Sequence, residues 1–298
     1  MVSVEHHPAP HLDQLARLIN CHLAEVMPGW RLPMDVIARS LATASPEHGS
    51  DPWVAEGRTL CALEDDRLVG AAQVLRYGSG PEISSGYRDA AELAWLLFWP
   101  GSKVAAGALM DAARNQMAAW GSSHLYACDT SLPVPVVNGV PHSWPHVSSA
   151  LIRGGFRPMP SGDEVLYVGN LPEAGVGGPP IPGLVVRAVP DEPGQRFLAE
   201  LNGAEIGFLD WLPDLSFGGT LPALTGWAQL ASIAVRDEWR GRGVGRWLVR
   251  RTASFLRMLG VRHVVVALTA SQEEAGAGIL CRRLGWDPLV RIDQGWKG

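Results

Sequence analysis

The chain repeats itself once. "LVGAA" at 68–72 and "AELAWLLF" at 91–98 return as "EIGFL" at 205–209 and "AQLASIAV" at 228–235, so Gly70 answers to Gly207 and Ala91 to Ala228 at one separation of 137 residues. Further on, "GSSHLYACD" at 121–129 returns as "GVRHVVVAL" at 260–268, and "IRGGFRP" at 152–158 as "CRRLGWDP" at 281–288. The order is kept while the separation drifts, which is how a duplicated domain reads. A length of 298 residues accommodates two domains. Between the copies, "GNLPEAGVGGPPIPG" (Gly169–Gly183) is dominated by Gly and Pro, which support neither a helix nor a central strand. The expected division is therefore 1–170, a linker at 171–183, and 184–298.

Composition narrows the class. Hydrophobic residues make up 47% and charged residues 18%, enough for buried cores. A net charge of −5 gives no electrostatic case for nucleic acid. The start "MVSVEHHPAPHLDQ" lacks a basic segment followed by an apolar run, and no apolar stretch is long enough to span a membrane. Cys21, Cys61, Cys128 and Cys281 lie far apart and form no CxxC pair, which reads as reduced thiols in a cytoplasmic protein. His142 and His146 have i,i+4 spacing, but Pro145 interrupts the helix that would align them, so no metal site is expected.

The second copy divides into regular elements. "RFLAELNGAEIGFLDWL" (196–212) is a hairpin about the turn Asn202-Gly203. "GWAQLASIAV" (226–235) and "HVVVALT" (263–269) are buried strands. Val244–Leu259 is a helix whose stripe runs Val244, Leu248, Arg251, Phe255, Leu259, and "EEAGAGILCRRLGW" (273–286) is a second helix ended by Gly285. The first copy adds helices at His11–Met27 and about Met34–Ala44, for which the second has no room between Ala188 and Arg196.

Between strand and helix stands "VRDEWRGRGVGRW", with Gly241, Gly243 and Gly245 at alternate positions. Glycines let the backbone take positive φ and let an anion approach bare amides at a helix start. The ATP-binding pattern GxxxxGK[ST] is absent, and GxGxG is not the dinucleotide spacing GxGxxG. The first copy has "WPGSKVAAG" here, two residues shorter and without alternating glycines; its Lys103 reads as a surface lysine.

Arg240-x-x-Gly243-x-Gly245 after a strand ending "SIAV", then "HVVVALT" and "LCRRLGW", resembles the GCN5-related N-acetyltransferases, the GNAT family. The resemblance covers the second half. It implies an α/β (α+β) chain of two tandem GNAT-like domains, each a mixed, mostly antiparallel twisted sheet flanked by helices, with the first degenerate and lacking the CoA pyrophosphate loop. It implies acetyl-CoA as co-substrate and no metal. Ile233, Ala234 and Val235 would lie along the pantetheine arm, and Arg240, Gly241, Arg242, Gly243, Val244, Gly245 and Arg246 around the pyrophosphate. The acetyl group would pass directly to an amine, read as a small molecule rather than nucleic acid or membrane.

The sequence departs from the family at the catalytic positions. Cys281 stands where a Tyr is usual, Gln229 where a Glu is frequent, and about Glu274 where an Asn is common; the first copy has Glu92 and Leu151 at the matching sites. Cys281 is either a proton donor or a small buried hydrophobe. Asp210 is a candidate base, with Asp214 and Glu205 beside it, and Trp211 and Trp227 flank the acceptor side. The alternative is a non-catalytic acyl-CoA-binding or sensing protein.

Overall fold

The computed structural model describes residues 1–6, 8–41, 53–122, 124–128, 137–160, 163–173, 177–191 and 194–298. Residues 42–44 of the expected second helix and 174–176 of the expected linker lie outside the described residues. Two compact units result: Met1–Asp163 with Val290–Gly298, and Glu164–Leu289.

The first unit runs β1 (Val2–Glu5), α1 (Leu12–Val26), α2 (Met34–Leu41), β2 (Val54–Glu64), β3 (Arg67–Tyr77), β4 (Ala91–Phe98), α3 (Lys103–Ala119), β5 (Leu125–Ala127), β6 (Val140–Pro141), α4 (Pro145–Arg153) and β7 (Arg157–Pro158). The second runs β8 (Asp163–Asn170), β9 (Leu184–Asp191), β10 (Gly194–Leu201), β11 (Ala204–Leu212), β12 (Trp227–Val235), α5 (Val244–Met258), β13 (His263–Thr269), α6 (Ala270–Glu274), α7 (Ala277–Arg283) and β14 (Asp287–Asp293). Residues Val290–Gly298, with β15 (Trp296–Lys297), belong again to the first unit.

The first unit's sheet has the order β1-β2-β3-β4-β5-β15-β7, and the second unit's the order β14-β8-β13-β12-β11-β10-β9. Both are mostly antiparallel with one parallel step, β4–β5 and β12–β13. The duplication is visible in register. Gly70 faces Phe98 and Gly207 faces Val235, and a bulge skips Ala94 in one copy and Ala231 in the other. A Cβ on Gly70 would come within 2.9 Å of the Phe98 Cβ, and one on Gly207 within 2.7 Å of the Ala234 carbonyl. Both positions need glycine because the neighbouring strand passes too close for a side chain.

The division expected at 170 and 184 is corrected by strand pairing. β8 aligns with β13 from His263↔Asn170 to Thr269↔Glu164, and its Val165 and Tyr167 join the second unit's core. β15 pairs Trp296 with both Ala127 and Pro158, inside the first unit's sheet. The Gly/Pro stretch marks a break in regular structure, whereas packing divides the chain elsewhere.

Three local readings also change. The helix expected at 273–286 is two short helices, because Gly276 at φ 97° ends one and starts the next. The buried stripe of α5 is Val244, Leu248, Val249, Thr252, Ala253 and Leu256; Arg251 and Leu259 are exposed. Trp211 is fully buried, its indole N–H donating to the Thr252 hydroxyl at 3.0 Å, so it belongs to the core. The other tryptophan placed on the acceptor side, Trp227, is half-buried with its ring 5.0 Å from that of His263.

A histidine pair sits in the first unit. The His22 Nδ1 lies 2.9 Å from the Leu18 carbonyl, so it donates there, and its Nε2 must then accept from the His146 Nε2 at 3.2 Å. Burial lowers the pKa of both; Glu25 partly offsets this at His22, and the neighbouring His22 lowers His146 further. Unfolded histidine titrates near pH ~6.5, so below that value the unfolded chain binds more protons. Stability is therefore complete above that pH and falls as the solution is acidified. Calorimetry of the full chain between neutral and mildly acidic pH should show a falling midpoint for this unit, and a smaller fall in His146→Gln. An unchanged midpoint contradicts the lowered pKa of the pair.

Candidate functional site

The site begins with a parting of strands. β12 and β13 pair only at Trp227↔His263, Ala228↔Val264 and Gln229↔Val265, after which β13 continues its ladder with β8 alone. Residues 230–235 thus keep one edge without a ladder partner, and Ile233, Ala234 and Val235 are only half-buried. Alternate backbone N–H and C=O groups along such an edge are open to an added strand-like ligand.

The glycine loop closes the end of this opening. Arg240 is tied back by its Nε to the Val235 carbonyl at 3.0 Å and by an ion pair to Asp237 at 2.9 Å. Gly241 at φ 73° and Gly243 at φ 84° occupy the left-handed region, which turns the chain sharply into α5. The first intrahelical bond is Trp247 N–H to the Gly243 carbonyl at 3.0 Å, so the amides of Val244, Gly245 and Arg246 precede the helical ladder and face outward. Across the opening, α6 is fixed by a reciprocal cap between Thr269 and Gln272, which also brings Gln272 to the cleft.

Together these walls enclose a cleft of about 560 Å³, within the range of small-molecule sites. Every residue assigned above to the cofactor lines it except Arg242. The Arg242 guanidinium instead stacks 4.9 Å over the Trp239 ring. Arg240, Arg246 and Arg283 line the cleft and, among the described residues, no Asp or Glu does, so the loop end is cationic. Bare helix-start amides bordered by arginines suit a diphosphate.

The candidate acid and bases lie elsewhere. Cys281 is 3% exposed within the core, and burial pushes its thiol up to about 12. Its place beside Leu248 and Trp286 in that core makes it a small hydrophobe. Asp210 is gripped on both oxygens by Arg196, at 2.7 and 2.8 Å. Asp214 accepts from the Ser216 hydroxyl and from the Gly218 and Ser216 amides; burial acts to raise its pKa, but these hydrogen bonds, the hydroxyl's first, outweigh it and hold the carboxyl below its usual range. Glu205 is exposed at the start of β11, away from the cleft. One polar group escaped the sequence reading. The Tyr167 hydroxyl donates to Glu273 at 2.5 Å and accepts from Arg282 at 2.9 Å, pinning the α6–α7 junction whose Ala275 and Gly276 line the cleft. Only the assignment of β8 to this sheet reveals it.

The first unit answers differently at the same place. β4 and β5 also pair at only three positions, Ala91↔Leu125 to Leu93↔Ala127. All of β4 is buried, and the hollow beside it, lined by Val140, Trp144 and Val147, measures about 10 Å³, room for no more than a water. The His146 ring packs edge-on against Phe98 at 4.9 Å.

Residues 192–288 match the family model of the acetyltransferase (GNAT) domain. No curated protein matches the sequence. Among solved structures, a tandem GNAT protein from the clavulanic acid biosynthesis pathway, determined without acetyl-CoA, is 17% identical at a TM-score of 0.61, covering 100% of this chain and 98% of that one. A GCN5-related N-acetyltransferase from Sphaerobacter thermophilus is 14% identical at a TM-score of 0.63, covering 100% and 95%. At these identities the likeness is one of fold, and it extends over both units.

Proposed function

We propose, from the GNAT-domain match over residues 192–288 and the tandem-GNAT likeness of fold over both units, that this chain is a tandem GNAT acetyltransferase whose second unit binds acetyl-CoA and passes the acetyl group directly to an amine. The observation that carries this reading is the parted β12–β13 edge opening onto the glycine loop. The pantetheine arm would lie along Ile233–Val235, each added backbone bond worth about 0.5–1.5 kcal/mol net. The pyrophosphate would rest on the amides from Gly241 to Arg246. A backbone N–H of the bulged strand would polarise the thioester carbonyl. The amine must lose a proton and the thiolate must gain one. Since no carboxylate among the described residues lines the cleft, a water relay would carry the amine's proton to the departing thiolate.

That same lack, among the described residues, of an acid or base in the cleft favours a second reading, an acyl-CoA-binding or sensing protein without turnover. Incubation with acetyl-CoA and a panel of small amines, followed by assay of free thiol, separates the two. Amine-dependent release of CoA supports transfer; saturable binding with no release across the panel supports sensing. Both readings expect one acetyl-CoA per chain, because the hollow beside β4 in the first unit, lined by Trp144 and Val147, is too small. Calorimetric titration measuring two equivalent sites would contradict that assignment of the first unit.

A further inference from the structure

The first unit has lost its strand-edge cleft but keeps an open groove beside it. Between α3 and α4 lies a recess of about 330 Å³, bordered by Lys103, Gly107, Asp111, Arg114, Arg153 and Gly154. Three cations face one carboxylate there, in a chain whose net charge is −5. None of the three cations has an ion-pair partner among the described residues; the Arg114 guanidinium donates to the Gly154 carbonyl, which fixes its position. Three cations around one carboxylate leave an excess of positive charge that an anion would offset.

A glycine in the groove wall makes the second, separate point. Gly107 sits in the second turn of the 17-residue α3 without a positive φ, and a Cβ there would meet nothing within 4 Å. Glycine is the poorest helix former after proline. Neither backbone conformation nor packing calls for it here, whereas a Cβ on Gly154 would come within 2.6 Å of the Met110 sulfur and displace that side chain. What Gly107 does is keep the groove open. The duplication supplies a third point: Arg153 holds the place in "IRGGF" that Arg283 holds in "RRLGW", and Arg283 lines the cleft of the second unit.

We propose that the α3–α4 groove of the first unit is a binding site for a small phosphomonoester of mononucleotide size. Arg153 and Arg114 would fork onto the phosphate, Lys103 would add charge, and Asp111 is placed to accept from a hydroxyl of the ligand. The groove is too small for a whole CoA, and the adjoining strand β4 is buried, so this site takes no thioester. The charge and glycine observations do not depend on the reading of the second unit; the match of Arg153 with Arg283 rests on it.

The test is calorimetric titration of adenosine 5′-monophosphate into the full chain saturated with acetyl-CoA, with inorganic phosphate as a second probe. One saturable site for the nucleotide is expected, weakened about tenfold or more in Arg153→Gln, which removes a charged fork. Gly107→Leu should abolish binding while keeping or raising the thermal midpoint, since a better helix former fills open space. Phosphate competing with the nucleotide assigns the affinity to the phosphate; phosphate failing to compete adds the nucleoside to the recognised chemistry. No saturable binding of the nucleotide, or binding unchanged in folded Gly107→Leu, overturns the proposal. If acetyl-CoA does not bind the second unit, the same variants read out the groove in its absence.

Discussion

Gly245→Trp is expected to eliminate acetyl-CoA binding in a protein that still folds. Gly245 stands in the first turn of α5, where a Cβ would meet Leu280 at 3.5 Å, Ile233 at 3.7 Å and Val235 at 3.8 Å. Those are ordinary contacts, so Gly245→Ala is tolerated and serves as control. An indole continues from that Cβ into the cleft and occupies the space between the loop amides and α7. The expected loss is about 100-fold or more in Kd, equivalent to about 2.7 kcal/mol. Gly243 makes a poorer test, because its φ of 84° strains any L-residue and a substitution would weaken the helix start as well as the site. Calorimetry on Gly245→Trp with an unchanged melting midpoint decides the matter. Wild-type affinity there would remove the cleft from the proposed chemistry.

The largest loss of stability is expected from Trp296→Ala. Trp296 is 1% exposed and pairs with strands on both sides, Ala127 and Pro158, while Gly298 N–H donates to the Leu125 carbonyl at 3.0 Å. Removing a buried indole costs about 3–5 kcal/mol, with the cavity it leaves included. For a unit of this size each kcal/mol lowers the midpoint by about 2–4 °C, so a fall of roughly 6–20 °C is expected. Trp296→Phe should behave otherwise. The indole N–H has no partner among the described residues, so the swap removes an unsatisfied donor together with some volume. A Trp296→Ala protein melting like the wild type would show that β15 adds little to the sheet.

Much of this architecture is written locally. The hairpin turn Asn202-Gly203 takes positive φ at both residues, 51° and 78°, as its sequence demands. The matched strands fall into matched register because their bulges and close-approach glycines were copied with them. The glycine loop was legible because it needs bare backbone at a fixed distance from a helix start. Its arginines were less so. The R-G-R-G alternation says nothing of side-chain direction, and Arg242 turns to Trp239 while Arg240 reaches back to Val235. Cys281 followed its environment, a core position, rather than the role its alignment suggested. The strand exchange could not be read at all. "DEVLYVGN" alternates as a strand should, but alternation does not name the neighbour, and its partner lies about a hundred residues on, a pairing set by global packing.

That exchange has a consequence for how the protein comes into being. The place between β5 and β7 is taken by residues synthesised after the whole second unit. A chain emerging from the ribosome cannot finish its first unit and move on, as multidomain proteins generally do. It must hold an incomplete sheet, with an unfilled slot between two strands, until translation has passed Trp296. A gene cut at the glycine- and proline-rich segment would yield one product with a surplus strand and a vacant slot, and another with β13 exposed along one side. Such open edges invite association with other chains. The two copies arose as repeats, yet they can no longer be made, inherited or recombined one at a time.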